Sequence, residues 1–287
     1  MVRPSVEGFY DSVTATWSYV VWEAGSTDKR CAIIDSVLDF DIFSGRTAFA
    51  SADKIVAFVQ AQGLAVQWHL ETHIHADHLT AAHYLKQKLG GKTGISRHIL
   101  SVLKTWAPIL QNEADTPQDG SAFDHLFADD EVFSIGALSA KIIHTPGHTP
   151  ADTTCLVGDA AFVGDALFLP DNGSGRCDFP GGDAGQSYDS IRKLLALPDA
   201  TRIFVGHDYP EGRDAQAMAT VAEQKAKNIR VHDGISRNAY VSKRRHDDEN
   251  KPVPKLLLPS LQVNLRAGGF GTAVDGRHFL KLPLDAL

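Results

Sequence analysis

The stretch 71-ETHIHADHLTAAHYL-85 places His73, His75, Asp77 and His78 within six residues, and His83 follows shortly after. It continues from AVQWHLE (65–71), whose composition predicts a strand, into LTAAHYLKQKLGG (79–91), read as a helix stopped by Gly90 and Gly91. The end of a strand, just before a helix, is where α/β folds place ligand sites. A turn leaving a strand can aim His73 and His75, two residues apart, at one point, and Asp77 and His78 at an adjacent one. Imidazole and carboxylate suit zinc, iron and manganese. Histidine and aspartate are also common at turns, and Asp77 alone could be a helix N-cap. Four such groups in six residues outweigh that reading. His83, on the predicted helix, is assigned to its surface or packing.

Three later segments repeat the design. HTPGHTPADTT (144–154) puts His148 after a Pro-Gly turn. AAFVGDALF (160–168) ends an apolar strand with Asp165, a carboxylate costly to bury unless it is paired or ligates a metal. IFVGHDYP (203–210) ends another strand with His207. Strands are also predicted at TWSYVVWE (16–23), RCAIID (30–35), EVFSI, SAKIIHT and DTTCLVGD, and helices over 51–63, Ser187–Leu197 and Asp214–Ile229. Residues 108–124, with two prolines, read as a loop or lid insertion. The pattern predicts an α/β fold, an αββα sandwich of two mixed β-sheets flanked by helices. Residues 1–240 form the expected catalytic domain. Residues 241–287 are expected to be a C-terminal extension packed on the same domain, with a solvated charged run, SKRRHDDENK (242–251), and prolines at 252, 254 and 259.

At 287 residues the chain can bury a sizeable core, and a net charge of −7 argues against nucleic acid or an anionic membrane as partner. No apolar run reaches the length of a membrane span, and the N-terminus shows no secretion signal. The three cysteines, Cys31, Cys155 and Cys177, fit neither a disulfide framework nor a zinc-thiolate site. A cytoplasmic location is therefore expected. The Leu256–Leu258 triplet is assigned to core or interface surface, such as a homodimer contact. His69 is expected in the core. His98, His125, His144, His232, His246 and His278 have no supporting ligand pattern. Cys155 is assigned to the core, Cys177 to a passive place in the pocket, and residues 243–245 to a solvated face.

In chain order, THIHADH, PGHTP, GDALF and GHDY resemble the metallo-β-lactamase superfamily over residues 10–230. Within it, GSGRCDFPGGDA (173–184) resembles the G-R-x-D-F segment of the persulfide dioxygenases. NLRAG (264–268) is similar to their ending, with Ala267 where the human-type ending has Cys. The same region also resembles a bacterial subgroup known only as β-lactamase-like hydrolases.

The persulfide dioxygenase resemblance implies one Fe(II) per chain, held by His73, His148 and Asp165, with positions open for O₂ and substrate. It implies oxidation of glutathione persulfide, or a related small persulfide, to sulfite and the thiol. Arg176, Tyr209 and Arg230 would face the glutathione part, since guanidinium forks suit its carboxylates. His75, Asp77, His78 and His207 would orient the ligands or form a second metal site. The alternative is a dinuclear zinc thioester hydrolase of glyoxalase II type. His73, His75 and His148 would then hold one zinc and Asp77, His78 and His207 the other, with Asp165 bridging. A metal-stapled binding protein is disfavoured, because three protein ligands leave an open site. Nothing in the sequence favours a lactam substrate.

Overall fold

The computed structural model describes residues 3–286. The chain opens with β1 (Ser5–Asp11), β2 (Thr16–Trp22), β3 (Arg30–Ile34), β4 (Val37–Asp41) and β5 (Arg46–Ala48), then α1 (Ala50–Ala61) and β6 (Ala65–Leu70). The histidine motif separates β6 from β7 (Leu79–Thr80). After it come α2 (Ala82–Leu89), β8 (Lys92–Ser96), α3 (Ile99–Leu110) and β9 (His125–Phe127). The second half runs β10 (Val132–Ile135), β11 (Leu138–His144), β12 (Thr153–Val157), β13 (Ala160–Phe162), α4 (Ala184–Leu195), β14 (Arg202–Phe204) and β15 (Met218–Thr220). It closes with α5 (Val221–Lys227), α6 (Arg237–Asp248) and α7 (Leu257–Asn264).

Two six-stranded sheets form, ordered β1-β2-β3-β6-β8-β9 and β10-β11-β12-β13-β14-β15, beside a small β5-β4-β7 sheet. β2 shows why the sheets stack. Tyr19 and Val21 face Ile142, Cys155, Phe162 and Phe204 of the other sheet, while Val20 joins Ile33, Ile55 and Leu85 beneath α1 and α2. A strand buried on both faces reads as a continuous apolar run, as YVVW does. α4 and α6 cover the outer face of the second sheet through Ile191, Leu194 and Tyr240. The result is the αββα sandwich expected from sequence. Among the described residues no helix is long and apolar enough to cross a membrane.

Several local expectations are corrected. Asp214–Ile229 is not one helix: Met218–Thr220 pairs with β14, and α5 starts only at Val221, capped by Thr220. Thr220 and Glu223 form a reciprocal capping box there, which fixes the start more firmly than helical propensity does upstream. The helix expected from Leu79 begins at Ala82, because Leu79 and Thr80 pair with β4. The presumed insertion at 108–124 starts late, since α3 runs through Pro108 to Leu110. Pro108 sits in the last turn, and burial of Val102, Leu103 and Trp106 offsets the backbone bond it forfeits. The run read as solvated lies largely in α6, where Arg244 is 2% exposed and donates to Asp248 and to Ser174 O. Pro259 lies within the first turn of α7 and does not break it.

Candidate metal centre and active site

The motif after β6 and the loops after β11, β13 and β14 meet at one rim of the sandwich, because β3, β6 and β8 run parallel, as do β13 and β14. Two donor sets result. His73, His148 and Asp165 form one, and His75, Asp77, His78 and His207 the other; within each set the candidate ligand atoms lie within 4.8 Å of one another.

The hydrogen bonds around each imidazole fix which nitrogen is free. The Thr72 hydroxyl donates to Asp35 Oδ2 at 2.8 Å, so it accepts from His73 Nδ1 at 3.0 Å. That leaves the His73 Nε2 lone pair bare, buried and without a partner. His148 Nδ1 donates to Arg176 O at 2.6 Å, turning its Nε2 toward Asp165 Oδ2 at 3.5 Å. His207 Nδ1 faces Ala15 O at 3.3 Å, leaving Nε2 at 3.2 Å from Asp77 Oδ2 and 3.4 Å from Asp165 Oδ1. Lone pairs aimed at carboxylate oxygens repel unless a cation lies between them. This donor chemistry, together with the orphaned His73 Nε2, His75 Nδ1 and His78 Nε2, fits a metal ion.

The charge state of His73 agrees with that reading. Burial and the neighbouring His75 and His148 push the His73 pKa well below the usual imidazole range, keeping its imidazole neutral, the form a metal needs. Burial opposes charge on His75 as well, but the Asp35 and Glu71 carboxylates hold its pKa well above that range. Burial disfavours ionised Asp77, yet His207 and His78 keep its pKa well below the carboxylate range.

Two glycines permit the close packing behind the ligands. Gly164 has φ +51°, and a Cβ there would lie 2.4 Å from Thr72 Oγ1. A Cβ on Gly175 would lie 2.2 Å from Asp165 O, the carbonyl that Gly175 N–H bonds at 3.2 Å. The GSGRC segment thus sits directly against two of the three residues of the His73, His148 and Asp165 set.

The floor of the site opens into a cleft of about 660 Å³. Ile42 and Phe43, at the tip of the β4–β5 hairpin, form one lip; Tyr209, Arg176, Lys251 and Lys255 line the other walls. Of the residues expected to meet substrate, Tyr209 lines the cleft and its ring stacks 6.0 Å from His207. Arg176 also lines it, but its guanidinium is engaged by Asp178 at 2.6 and 2.5 Å and by Pro252 O at 2.8 Å. Arg230 does not line the cleft and pairs with Asp247. Lys251 lies 3.5 Å from Asp248, whereas Lys255 has no ion-pair partner among the described residues.

The sequence reading did not single out Asp35, Thr72, Glu71, Asn264 or Lys255. Asp35 was within reach, as the acidic end of the predicted strand RCAIID. Asn264 was not: its amide donates to His75 O and His78 O at 2.8 Å each across more than 180 residues. His69 is buried and bonded to Gly90 O, and His83 bonds Gln87 on the exposed face of α2, both as expected. Cys155 and Cys177 are both buried, and burial raises each thiol pKa to about 12. His98 and His144, treated as ordinary, come together with Asp129.

A two-sheet sandwich with buried histidine and aspartate sets at one rim defines a metal-dependent enzyme. Residues 11–207 match the family model of the metallo-beta-lactamase superfamily, and the chain belongs to that superfamily. Its sequence is 48% identical to a probable metallo-hydrolase of Burkholderia pseudomallei, across 99% of this chain and 100% of the relative. It is 42% identical to Glyoxylase B2 of Dictyostelium discoideum, across 99% and 98%. Persulfide dioxygenase ETHE1 of Bos taurus is 27% identical, across 90% and 87%. Among solved structures, ETHE1 from Myxococcus xanthus superposes with a TM-score of 0.73 at 28% identity, over 92% of this chain and 100% of that one. Some relatives are longer, and the chain spans 65% of the length of one that is 47% identical.

Proposed function

We propose that this chain is a persulfide dioxygenase with one Fe(II) held by His73, His148 and Asp165. It would oxidise glutathione persulfide, or a related small persulfide, to sulfite and the thiol. One observation carries the reading: the GSGRC segment, whose sequence resembles that enzyme group, packs on two members of the triad. Arg176 O orients His148, and Gly175 bonds the Asp165 backbone. Likeness to the two ETHE1 proteins supports the same reading.

Bound iron would supply one-electron chemistry toward O₂ that no side chain here offers. The protein's share is orientation and charge. Thr72 and Arg176 O hold two imidazoles by Nδ1 and leave each Nε2 free. Phe168, Phe179 and the hairpin tip would give the persulfide sulfur apolar neighbours. Overall, the persulfide, O₂ and one water would yield the thiol, sulfite and two protons. With Arg176, Arg230 and Lys251 already paired, Lys255 is the cleft cation left to attract a substrate carboxylate.

A second reading, the dinuclear zinc thioester hydrolase, is favoured by Asp165. Its two oxygens approach His148 at 3.5 Å and His207 at 3.4 Å, spanning both donor sets as a bridging ligand would. Anaerobically purified protein decides between them by metal analysis, O₂ uptake with glutathione persulfide, and hydrolysis of a glutathione thioester. About one iron per chain with O₂ uptake supports the dioxygenase. About two zincs with thioester cleavage and no O₂ uptake overturns it.

A further inference from the structure

Outside the two donor sets of the active site, His98, Asp129 and His144 offer three ligand atoms within 4.8 Å of one another. They come from three strand ends. His98 follows β8 and Asp129 follows β9 in the first sheet, while His144 ends β11 in the second. His144 Nε2 faces Pro150 O at 3.0 Å. A carbonyl only accepts, so that nitrogen carries the proton and Nδ1 carries the lone pair. Yet Nδ1 lies 3.5 Å from Asp129 Oδ2, another acceptor. Asp129 Oδ1 meanwhile lies 2.8 Å from His98 Nε2. A cation between two acceptors this close would relieve their repulsion. A proton is the poorer candidate, since burial and the adjacent His98 lower the His144 pKa.

We infer that His98, Asp129 and His144 form a second divalent-metal site, suited to Zn(II), that staples the two sheets together. Two imidazoles and one carboxylate are a zinc donor set, with water completing a tetrahedron. The rings are stacked, 4.0 Å apart and 9° from parallel, so one must rotate for both nitrogens to converge on an ion. The His98 side chain is 35% exposed and has room to do so. Its main chain stays anchored by the Ser96 hydroxyl and the start of α3. None of these three residues belongs to the active site.

The test uses holoenzyme with its active-site metal in place. In equilibrium dialysis against Zn(II), wild type binds about one zinc per chain more than His98→Gln or Asp129→Asn. Added zinc raises the wild-type Tm by roughly a few degrees, and both variants lose that rise. Crystals soaked in zinc show an anomalous peak between the three side chains. Equal zinc content in wild type and both variants, or no peak at the cluster in wild-type crystals, overturns the inference. None of these readouts depends on which reaction the catalytic centre performs, so the two proposals fail independently.

Discussion

At the scale of single residues, the centre is governed by groups that hold the ligands as much as by the ligands. Thr72 both donates to Asp35 and accepts from His73, so its hydroxyl sets the tautomer of a candidate metal ligand. Thr72→Val keeps the branched shape but removes that relay. Its metal affinity should fall about 10- to 100-fold in chelator competition, with a far-UV spectrum like that of wild type. Lys255 makes a different kind of contribution, as an exposed cation at the cleft wall. Lys255→Gln should raise KM about fivefold with kcat nearly unchanged, an effect that shrinks at high salt. An unchanged KM would place the substrate carboxylate elsewhere.

At the scale of elements, β6 delivers the motif, and its stability carries a pH signature. His69 in β6 has its pKa lowered to about 4 from 6.5, chiefly by burial. As pH falls below 6.5, the unfolded chain takes up a proton that the folded chain refuses until about 4. Stability is therefore lost on acidification, by about 2 kcal/mol between pH 7.5 and pH 5 from this group alone. Urea unfolding at the two pH values should show a smaller loss in His69→Gln, and an equal loss would reject the assignment. Element boundaries show what was legible. Apolar β-branched runs such as YVVW and RCAII marked their strands, because two-sided burial demands that composition. The T-x-x-E cap at Thr220 was in the sequence too, and would have corrected the helix drawn from Asp214. That Leu79 and Thr80 pair with Val37 and Leu38 was not legible, since such a short bridge depends on where β4 lies.

For the whole molecule, the last 47 residues are part of what holds the site. Asn264 in α7 clasps the motif backbone, and Asp248 in α6 accepts from Cys177 N–H at 2.9 Å while pairing with buried Arg244. Removing residues 241–287 would leave those motif carbonyls and the Cys177 amide without these partners and expose Ile74, Trp106 and their neighbours. The truncated chain should be aggregated or unfolded by size exclusion and circular dichroism, whereas a folded, metal-binding 1–240 fragment would show that the extension is dispensable. By itself the sequence determined the sandwich and the candidate ligands at its rim, because strand composition and crowded histidines are local signals. Only the tertiary structure decided which ligands share a set and which nitrogen each presents. It alone showed that Arg176 and Arg230 are already neutralised, and that His98 and His144 meet over Asp129. Those outcomes depend on the directions of side chains brought together from distant strand ends, and spacing along the chain does not encode them.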